Sequence, residues 1–502
     1  MSTNPPRVDP DLIAALRADL RAAPFTVAGI AEVLDPMAMA ALDREQALPA
    51  QRRTADDPRP VATLIRLFNL GDPVDAADVQ AALPTLGLVG ALALGLVAAE
   101  GDAVVALADL RPYAADGTDH WIASDLDELA TGSPLPGDHV LGIGGASTTL
   151  ASWTPRPRVG RALDVGTGCG IQALHLLTHA DDVTVTDLSE RALAYAAFNA
   201  ALNETQWDVR AGSMLEPVAG ERFALIVSNP PFVITPRTGE VPLFEYRDAG
   251  ASGDAVVADL VAAIGAHLEP GGIAQFLGNW EIPAGQEWTD RVGAWVAGTG
   301  LDAWVVQREV QDPAEYAETW ARDGGHHSGT ADFDRMYAAW LDDFASRDVV
   351  GIGFGIITLH RPVVDRAPFV DLVEVRHPVE SPMGPSVLAG LAARAWLVEH
   401  DDDTILDTAW VAAPDVHEER HTRPGAADPS RILWHQGGGL RRTVPLTTVT
   451  AAFASVTDGE LTARAAAAAI AGLLGADDAE VRAEIVAFIR DVARDGLLLL
   501  PH

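Results

Sequence analysis

The sequence predicts an α/β fold built on a doubly wound parallel sheet, with smaller helical domains on either side. Between about residues 150 and 362, short apolar runs typical of strands alternate with runs typical of helices. This alternation favours parallel strands joined by crossover helices. A glycine-rich turn follows the first strand, and the segment "SNPPF" ends a later one. Ligands of such sheets bind at the carboxyl ends of the strands, where both features fall.

Length and composition favour several packed domains. The chain has 502 residues and a formal net charge of −36, which argues against broad electrostatic adhesion to nucleic acid or to anionic membranes. We predict three domains: a helical, winged-helix-like N-terminal domain at 1–135, a central sheet domain at 136–362, and a C-terminal accessory domain at 363–502. The last domain ends in two helices and an apolar strand, which again indicates a winged-helix-like module.

Several classes of site and location are excluded by simple patterns. Cys169 is the single cysteine, so neither an intramolecular disulfide nor a multi-cysteine metal cluster is expected. The N-terminus lacks a basic segment followed by an apolar core, so no signal peptide is predicted. Residues 81–99 are uncharged but contain Pro84 and three glycines, and we interpret them as a buried helix. We therefore expect a cytoplasmic protein without metal or membrane partner.

The turn after the first strand, "LDVGTGCGIQAL", predicts a nucleotide-type ligand. Its three glycines let the backbone approach a ligand closely. A dinucleotide fingerprint would need glycine where the chain has Ile171, and Asp164 would repel a pyrophosphate. The same carboxylate would suit the ammonium of an amino-acid moiety, which indicates S-adenosylmethionine. Asp187 ends the next strand, where a carboxylate can accept both ribose hydroxyls.

Three motifs in this order, "ALDVGTGCG", "VTVTDLS" and "NPPF", resemble the class I S-adenosylmethionine-dependent methyltransferases, in particular the group that methylates RNA base amines and release-factor glutamines. The resemblance covers roughly residues 138–362. It implies a Rossmann-like class I sheet and S-adenosylmethionine as the cofactor. It departs where many relatives carry an acid for the adenine amine, since this chain has Ser213 and Met214. The cofactor-binding residues that it implies are Asp164, Gly166, Thr167, Gly168, Gly170, Asp187, Leu188, Ser213, Met214 and Asn229.

The motif "NPPF" suits the methylation of a planar nitrogen, whose lone pair is delocalised. If the side-chain oxygen of Asn229 and the carbonyl of Pro230 accept the two amine hydrogens, the nitrogen is held in line with the methyl group. Pro230 and Pro231 fix these acceptors, and Phe232 can stack on a flat base or amide. We therefore predict Asn229, Pro230, Pro231 and Phe232 as the catalytic residues.

The substrate is less constrained by the sequence. The segment from Phe244 to Gly272 resembles the same region of release-factor glutamine methyltransferases, whereas the winged-helix flavour of the outer domains favours nucleic acid. We favour an exocyclic nucleobase amine in RNA, with N5 methylation of a protein glutamine as the alternative and a non-catalytic cofactor-binding scaffold as the alternative of another class. The visible basic positions are Arg156, Arg158, Arg161, Arg441 and Arg442, which we interpret as ordinary surface arginines.

Overall fold

The computed structural model describes residues 4–133, 135–237, 241, 243–248 and 253–501. Two compact units divide the chain. The first consists of Met1–Leu150, Arg158–Thr299 and Val310–Ile357, and the second of Ala151–Pro157, Gly300–Glu309 and Thr358–His502. The predicted division into three domains stays a prediction, since the first unit takes in both the N-terminal segment and most of the central one.

The N-terminal part of the first unit is helical and closes with antiparallel ribbons. Its elements are α1 (Pro10–Ala22), α2 (Val27–Val33), α3 (Pro36–Leu42), α4 (Leu48–Thr54), α5 (Pro60–Leu64) with a π-helical turn (Ile65–Asn69), β1 (Val74–Asp75), α6 (Ala76–Ala82), α7 (Gly87–Leu94), β2 (Val97–Glu100), β3 (Ala103–Ala106), β4 (Asp109–Ala115), β5 (Thr118–Ser124) and α8 (Glu128–Thr131). The strands pair in the order β1-β3-β2, and β4 pairs with β5. The expected helices followed by an antiparallel ribbon are present.

The interpretation of residues 81–99 as one buried helix is wrong. The segment contains the end of α6, the whole of α7 and the start of β2, and the two helices are bent by 93°. Pro84 cannot continue a helix, and Gly87 and Gly95 both take positive φ. Val89 on α7 is 81% exposed. Among the described residues no single helix is long and apolar enough to cross a membrane, although this bent pair passes that test by length and composition.

The central elements form the predicted alternating pattern. They are α9 (Gly145–Trp153), β6 (Val159–Val165), α10 (Ile171–Leu176), β7 (Ala180–Asp187), α11 (Glu190–Leu202), β8 (Asp208–Ala211), β9 (Phe223–Ser228), α12 (Ala255–Ile264), β10 (Leu268–Pro283), α13 (Trp288–Val296), β11 (Asp302–Gln311), α14 (Pro313–Asp323), α15 (Ala331–Ala345) and β12 (Val349–His360). In the first unit the sheet has the order β12-β10-β9-β6-β7-β8. Its strands β10, β9, β6, β7 and β8 pair in parallel. The strands that follow β6 first extend the sheet on one side, as β7 and β8, and then on the other, as β9 and β10. At such a switch point a crevice for a ligand opens between the carboxyl ends of β6 and β9.

Helices α14 and α15 form an insertion between β11 and β12. Their buried side chains join those of the segment after β9 in one apolar cluster. Tyr316, Trp340 and Phe344 are fully buried in it, together with Ile234 from the segment after "NPPF". The insertion therefore covers the chain that follows the predicted catalytic motif.

The N-terminal ribbon β4–β5 is attached to α11 through asparagine side chains. Asn199 is fully buried; its Oδ1 accepts from the Ala123 amide at 2.8 Å, and its Nδ2 donates to the carbonyls of Ala123 at 2.9 Å and Cys169 at 2.8 Å. Asn203, one turn later, makes an equivalent pair of bonds with the Trp121 backbone. A single helix face thus ties the ribbon to the sheet domain.

Replacing Asn199 with alanine is expected to lower the free energy of unfolding of the first unit by about 2–4 kcal/mol, because it leaves buried backbone groups unpaired. Urea unfolding of the full chain measures this loss. Asn203→Ala is the matched control, since Asn203 is half-buried and water can replace its bonds. An equal loss of unfolding free energy in both variants would contradict the argument that burial makes the Asn199 hydrogen bonds more important than those of Asn203.

The second unit carries the C-terminal region. Besides most of β11, it contains β13 (Val370–Glu374), α16 (Gly384–Glu399), α17 (Asp402–Leu406), β14 (Val411–Ala412), β15 (Val416–His421), β16 (Arg431–Gln436), β17 (Thr443–Leu446), α18 (Thr448–Ala454), α19 (Ala463–Leu474), α20 (Asp478–Ala493) and β18 (Leu498–Leu499). Strands β15, β16 and β17 form an antiparallel sheet. The predicted two helices and final strand are α19, α20 and β18, and β18 pairs with β14.

Candidate functional site

The glycine turn after β6 leaves open space for a ligand. Gly166, Gly168 and Gly170 all have positive φ, of 69°, 56° and 93°, which favours glycine over any residue with a side chain. A Cβ placed on Gly166 or Gly168 would have no atom within 4 Å, whereas one on Gly170 would meet the Trp207 ring at 3.1 Å. The first two glycines therefore line an open region, and the third serves packing.

Asp164 lies at the end of β6 beneath this turn and is fully buried. Its Oδ2 accepts a 2.6 Å hydrogen bond from the Thr167 hydroxyl. Its Oδ1 is also buried and accepts no hydrogen bond of normal geometry, although the backbone amide of Ala173 interacts with this carboxyl. Burial raises the pKa of this carboxyl to about 7. An acceptor without a partner is costly, and a cationic amine would satisfy it.

Asp187 ends β7 and holds the turn from the neighbouring strand. Its Oδ2 accepts from the Gly168 amide and its Oδ1 from the Ser189 amide, both at 2.9 Å. Burial raises the pKa of this carboxyl. Each oxygen retains a second lone pair, so the group can still accept ribose hydroxyls. Leu188, which follows it, is 72% exposed.

Ser213 and Met214 lie in the loop after β8, next to the end of β7. The Gly212 amide donates to the Asp187 carbonyl at 2.9 Å, and the Thr186 hydroxyl donates to the Met214 carbonyl at 3.1 Å. Met214 has φ of 48°, a region that residues with side chains seldom adopt. Both predicted adenine-side residues are half-buried.

Removing the Asp187 carboxylate is expected to weaken S-adenosylmethionine binding by about 10–100-fold, because charged hydrogen bonds of this kind contribute about 1.5–3 kcal/mol. Isothermal titration of Asp187→Ala measures the change. Asp182→Ala at the exposed start of the same strand is the control. Unchanged affinity in Asp187→Ala would remove this residue from the cofactor site.

The segment "NPPF" begins where β9 ends. Ser228 pairs with Val165 of β6, and its hydroxyl donates to the Val165 carbonyl at 2.8 Å. This register places Asn229 at the level of Gly166. The Oδ1 of Asn229 is buried and has no hydrogen-bond partner among the described residues. Pro230 is buried, while Pro231 and Phe232 are half-buried.

The structure thus places every predicted site residue at one edge of the sheet. They lie at or just after the carboxyl ends of the neighbouring strands β9, β6, β7 and β8, which are about 4.8 Å apart. Two of their acceptor atoms, Oδ1 of Asp164 and Oδ1 of Asn229, are buried and accept no hydrogen bond of normal geometry from the described residues. These residues fit S-adenosylmethionine, since the Asp164 carboxylate suits a cationic group and the Asp187 carboxylate suits hydroxyls.

The chain after Phe232 is held by Arg247, Asp248 and their partners, a set of contacts that the sequence did not predict; we call it the clamp. The Val233 amide donates to the Arg247 carbonyl at 3.0 Å, and the Thr235 hydroxyl donates to Asp248. Arg247 is 3% exposed and donates to Asp323 and to the Trp320 carbonyl, both at 2.8 Å. No spacing or periodicity in the sequence predicts these contacts. The one available signal is that the buried Arg247 falls in the segment that resembles the release-factor glutamine methyltransferases.

The linker between β5 and α9 also contacts the clamp. The Glu245 amide donates to the Gly137 carbonyl at 2.8 Å, and the rings of His139 and Tyr246 meet edge to face at 5.9 Å. At the linker's start, Asp125 accepts from Arg191 and from the Tyr195 hydroxyl. The linker therefore contacts α11 near its start and the segment after "NPPF" further along.

Two histidines and two of the arginines named above have structural partners among the described residues. His175 and His179 are buried, and His175 bonds to the Tyr113 hydroxyl at 2.7 Å. Within the described ranges, no group of three or more His, Cys, Asp or Glu side chains is placed to hold a metal. Arg161 is ion-paired with Glu221, and Arg442 with Asp491 and Asp495.

Comparison with known families decides the class of the central domain. Residues 142–294 match a family model described as "Methyltransferase small domain". This segment of the chain is therefore similar to methyltransferase small domains. Residues 22–107 match a second model, described as "Domain of unknown function (DUF7059)". The first match confirms the predicted resemblance, the Rossmann-like fold class, the methyltransferase class and S-adenosylmethionine as the cofactor of this domain.

Curated relatives match within the same region. The release factor glutamine methyltransferase of Deinococcus radiodurans is 42% identical over 120 residues, which are 22% of this chain and 43% of the relative. The ribosomal RNA small subunit methyltransferase C of an Enterobacter species is 36% identical over 122 residues, 23% of this chain and 34% of the relative. The same enzyme of Erwinia tasmaniensis is 30% identical over 189 residues, which are 37% of this chain and 50% of the relative. The chain spans half or less of the length of these relatives.

Proposed function

We propose that this protein transfers the methyl group of S-adenosylmethionine to a planar nitrogen. The observation that carries the proposal is the buried, unpartnered Oδ1 of Asn229 at the end of β9. An unsatisfied buried acceptor costs about 1–3 kcal/mol, so a substrate group that pairs with this atom is favoured. An amine hydrogen of the substrate would pair it.

The side chains explain how such a nitrogen can react. S-adenosylmethionine, when bound, supplies a methyl group on a positively charged sulfur. Asn229 and the carbonyl of Pro230 accept the two hydrogens of the amine and aim its lone pair, while the two prolines hold both acceptors rigidly. The nitrogen lone pair bonds to the methyl carbon while the methyl–sulfur bond breaks and leaves its electron pair on sulfur; the nitrogen then loses a proton to water, so no strong base is needed.

We place an exocyclic nucleobase amine in RNA first as the substrate. Phe232 is half-buried and meets Trp320 edge to face at a centroid distance of 6.4 Å, which supports a flat aromatic wall for a base. Relatives named ribosomal RNA small subunit methyltransferase C also support this choice. Nucleic-acid binding and a cytoplasmic location are parts of this proposal.

A protein glutamine is the second substrate we propose, because the relative named release factor glutamine methyltransferase shares 42% identity with this chain over 120 residues. Its side-chain amide is also a planar NH₂ group and needs the same two acceptors. A non-catalytic scaffold has no use for the unpartnered acceptor of Asn229.

Labelling decides between these substrates. The purified protein is incubated with methyl-labelled S-adenosylmethionine and an extract of cells that lack the protein, and the label is followed into RNA, DNA and protein. Label in RNA supports the base-amine proposal, and label in protein supports glutamine methylation. No transfer to any fraction would contradict the proposed activity.

A further inference from the structure

The backbone of Ile234, two residues after Phe232, is held by aromatic side chains of the insertion rather than by a strand. Its amide donates to the Tyr316 hydroxyl at 2.9 Å, and its carbonyl accepts from the Trp340 indole nitrogen at 2.8 Å. Tyr316 lies on α14 and Trp340 on α15, and both are fully buried. Each helix of the insertion thus contributes one contact to the same residue.

Tyr316 is itself fixed to the sheet. The Asn279 side chain on β10, which is 1% exposed, donates to the Tyr316 hydroxyl at 2.9 Å. The ring packs against Phe344 and Phe354 at centroid distances of 5.6 Å. The hydroxyl therefore links three parts of the fold: a sheet strand, the insertion and the chain after the catalytic motif.

This linkage bears directly on the target pocket. Pro230 and Pro231 leave little torsional freedom between Asn229 and Phe232, so a shift at Ile234 is passed back to both side chains. Trp320, one turn after Tyr316 on α14, contacts the Phe232 ring. The same helix thereby sets the position of the aromatic wall and of the backbone that carries it.

We infer that Tyr316 is a positioning residue for methyl transfer, acting through the Ile234 amide to hold Asn229 and Phe232 in their reactive geometry. This inference rests on the proposed function. It assigns a role in the reaction to an insertion outside the residues matched by the methyltransferase small domain, which end at 294.

The test is Tyr316→Phe, which removes only the hydroxyl. We expect kcat on the accepting fraction to fall by about 10–100-fold, since misplacing reacting groups by about 1 Å has effects of this size. The dissociation constant for S-adenosylmethionine should change less than twofold, because neither hydrogen bond of the Tyr316 hydroxyl is to Asp164 or Asp187. Hydrogen exchange of the peptide 229–236, which has three prolines and few amides, should become faster.

Tyr337→Phe is the matched control. Tyr337 lies on α15 in the same apolar cluster and stacks on Phe333 at 5.8 Å, so the change removes a hydroxyl without touching Ile234. Trp340→Phe, which removes the donor to the Ile234 carbonyl, should act in the same direction as Tyr316→Phe.

The outcomes separate this inference from the proposed function. Wild-type kcat in Tyr316→Phe, or unchanged exchange of the peptide, overturns the inference while leaving the transfer activity in place. An equal loss in Tyr337→Phe also overturns it, since the effect would then be one of general packing. Absence of transfer by the wild-type protein overturns the proposed function and this role with it.

Discussion

Replacing Asn229 with alanine is expected to lower methyl transfer by at least about 100-fold, the size of effect seen when one preorganised hydrogen-bonding group is removed from a reacting centre. The side chain follows β9, and its Oδ1 is buried and unpartnered. Without it the amine keeps a hydrogen unpaired and is free to rotate away from the methyl group. The affinity for S-adenosylmethionine should stay within about twofold, because we propose Asp164 and Asp187 as the residues that hold the cofactor.

Single-turnover transfer and isothermal titration, carried out on the same preparations, separate these two effects. Asn229→Gln is the geometric control, since it keeps the amide but moves the oxygen by one methylene, and it should lose nearly as much activity. Asn229→Asp keeps an acceptor in place and should retain more. Full activity in Asn229→Ala would remove the proposed mechanism.

The placement of the candidate site residues at the carboxyl ends of the strands could be predicted because their motifs are local in the sequence. The turn that contains Gly166 and Gly168 spans a few residues, Asp187 is the last residue of an apolar strand, and Asn229 directly follows another. Strand ends of a parallel sheet converge by construction. Residues far apart in the chain therefore meet without any further information.

The supports of the site could not be predicted in this way. Ile234 and Tyr316 are 82 residues apart, and Ile234 and Trp340 are 106 apart. A buried tyrosine on an amphipathic helix has the same local pattern whether or not its hydroxyl holds a loop. The prediction of a single helix at residues 81–99 is wrong for a local reason. The apolar composition of the segment favours one helix, but Pro84 cannot continue a helix and separates α6 from α7.

Asp164 gives the second large effect, a pH dependence of cofactor binding. Burial raises the pKa of its carboxyl from an ordinary 3.8 to about 7. Between these values the unfolded chain has lost the proton while the folded protein keeps it. The free energy of unfolding therefore falls as the pH rises from about 4 to about 7 and levels off above.

Cofactor binding is expected to follow the opposite course. The amino group of S-adenosylmethionine favours the ionised carboxylate, so affinity should increase as the pH rises toward 7. Above a pH of about 8 an α-amino group, with its ordinary pKa of about 7.7–8.0, loses its charge and affinity should decrease again. We expect binding to be about five- to tenfold weaker at pH 6 than at pH 7.5, from one proton released at a pKa near 7.

Titration of binding against pH in two variants assigns this profile to Asp164. In Asp164→Asn the affinity should be at least about tenfold weaker, for loss of a charged contact, and the rise between pH 6 and 7.5 should vanish. Asp109 is the matched control, because burial also raises its pKa to about 7 but it lies on β4, where it pairs with Arg111. Asp109→Asn should change the pH dependence of unfolding and leave that of binding intact. If instead the rise in affinity persists in Asp164→Asn, another group faces the cationic end of the cofactor.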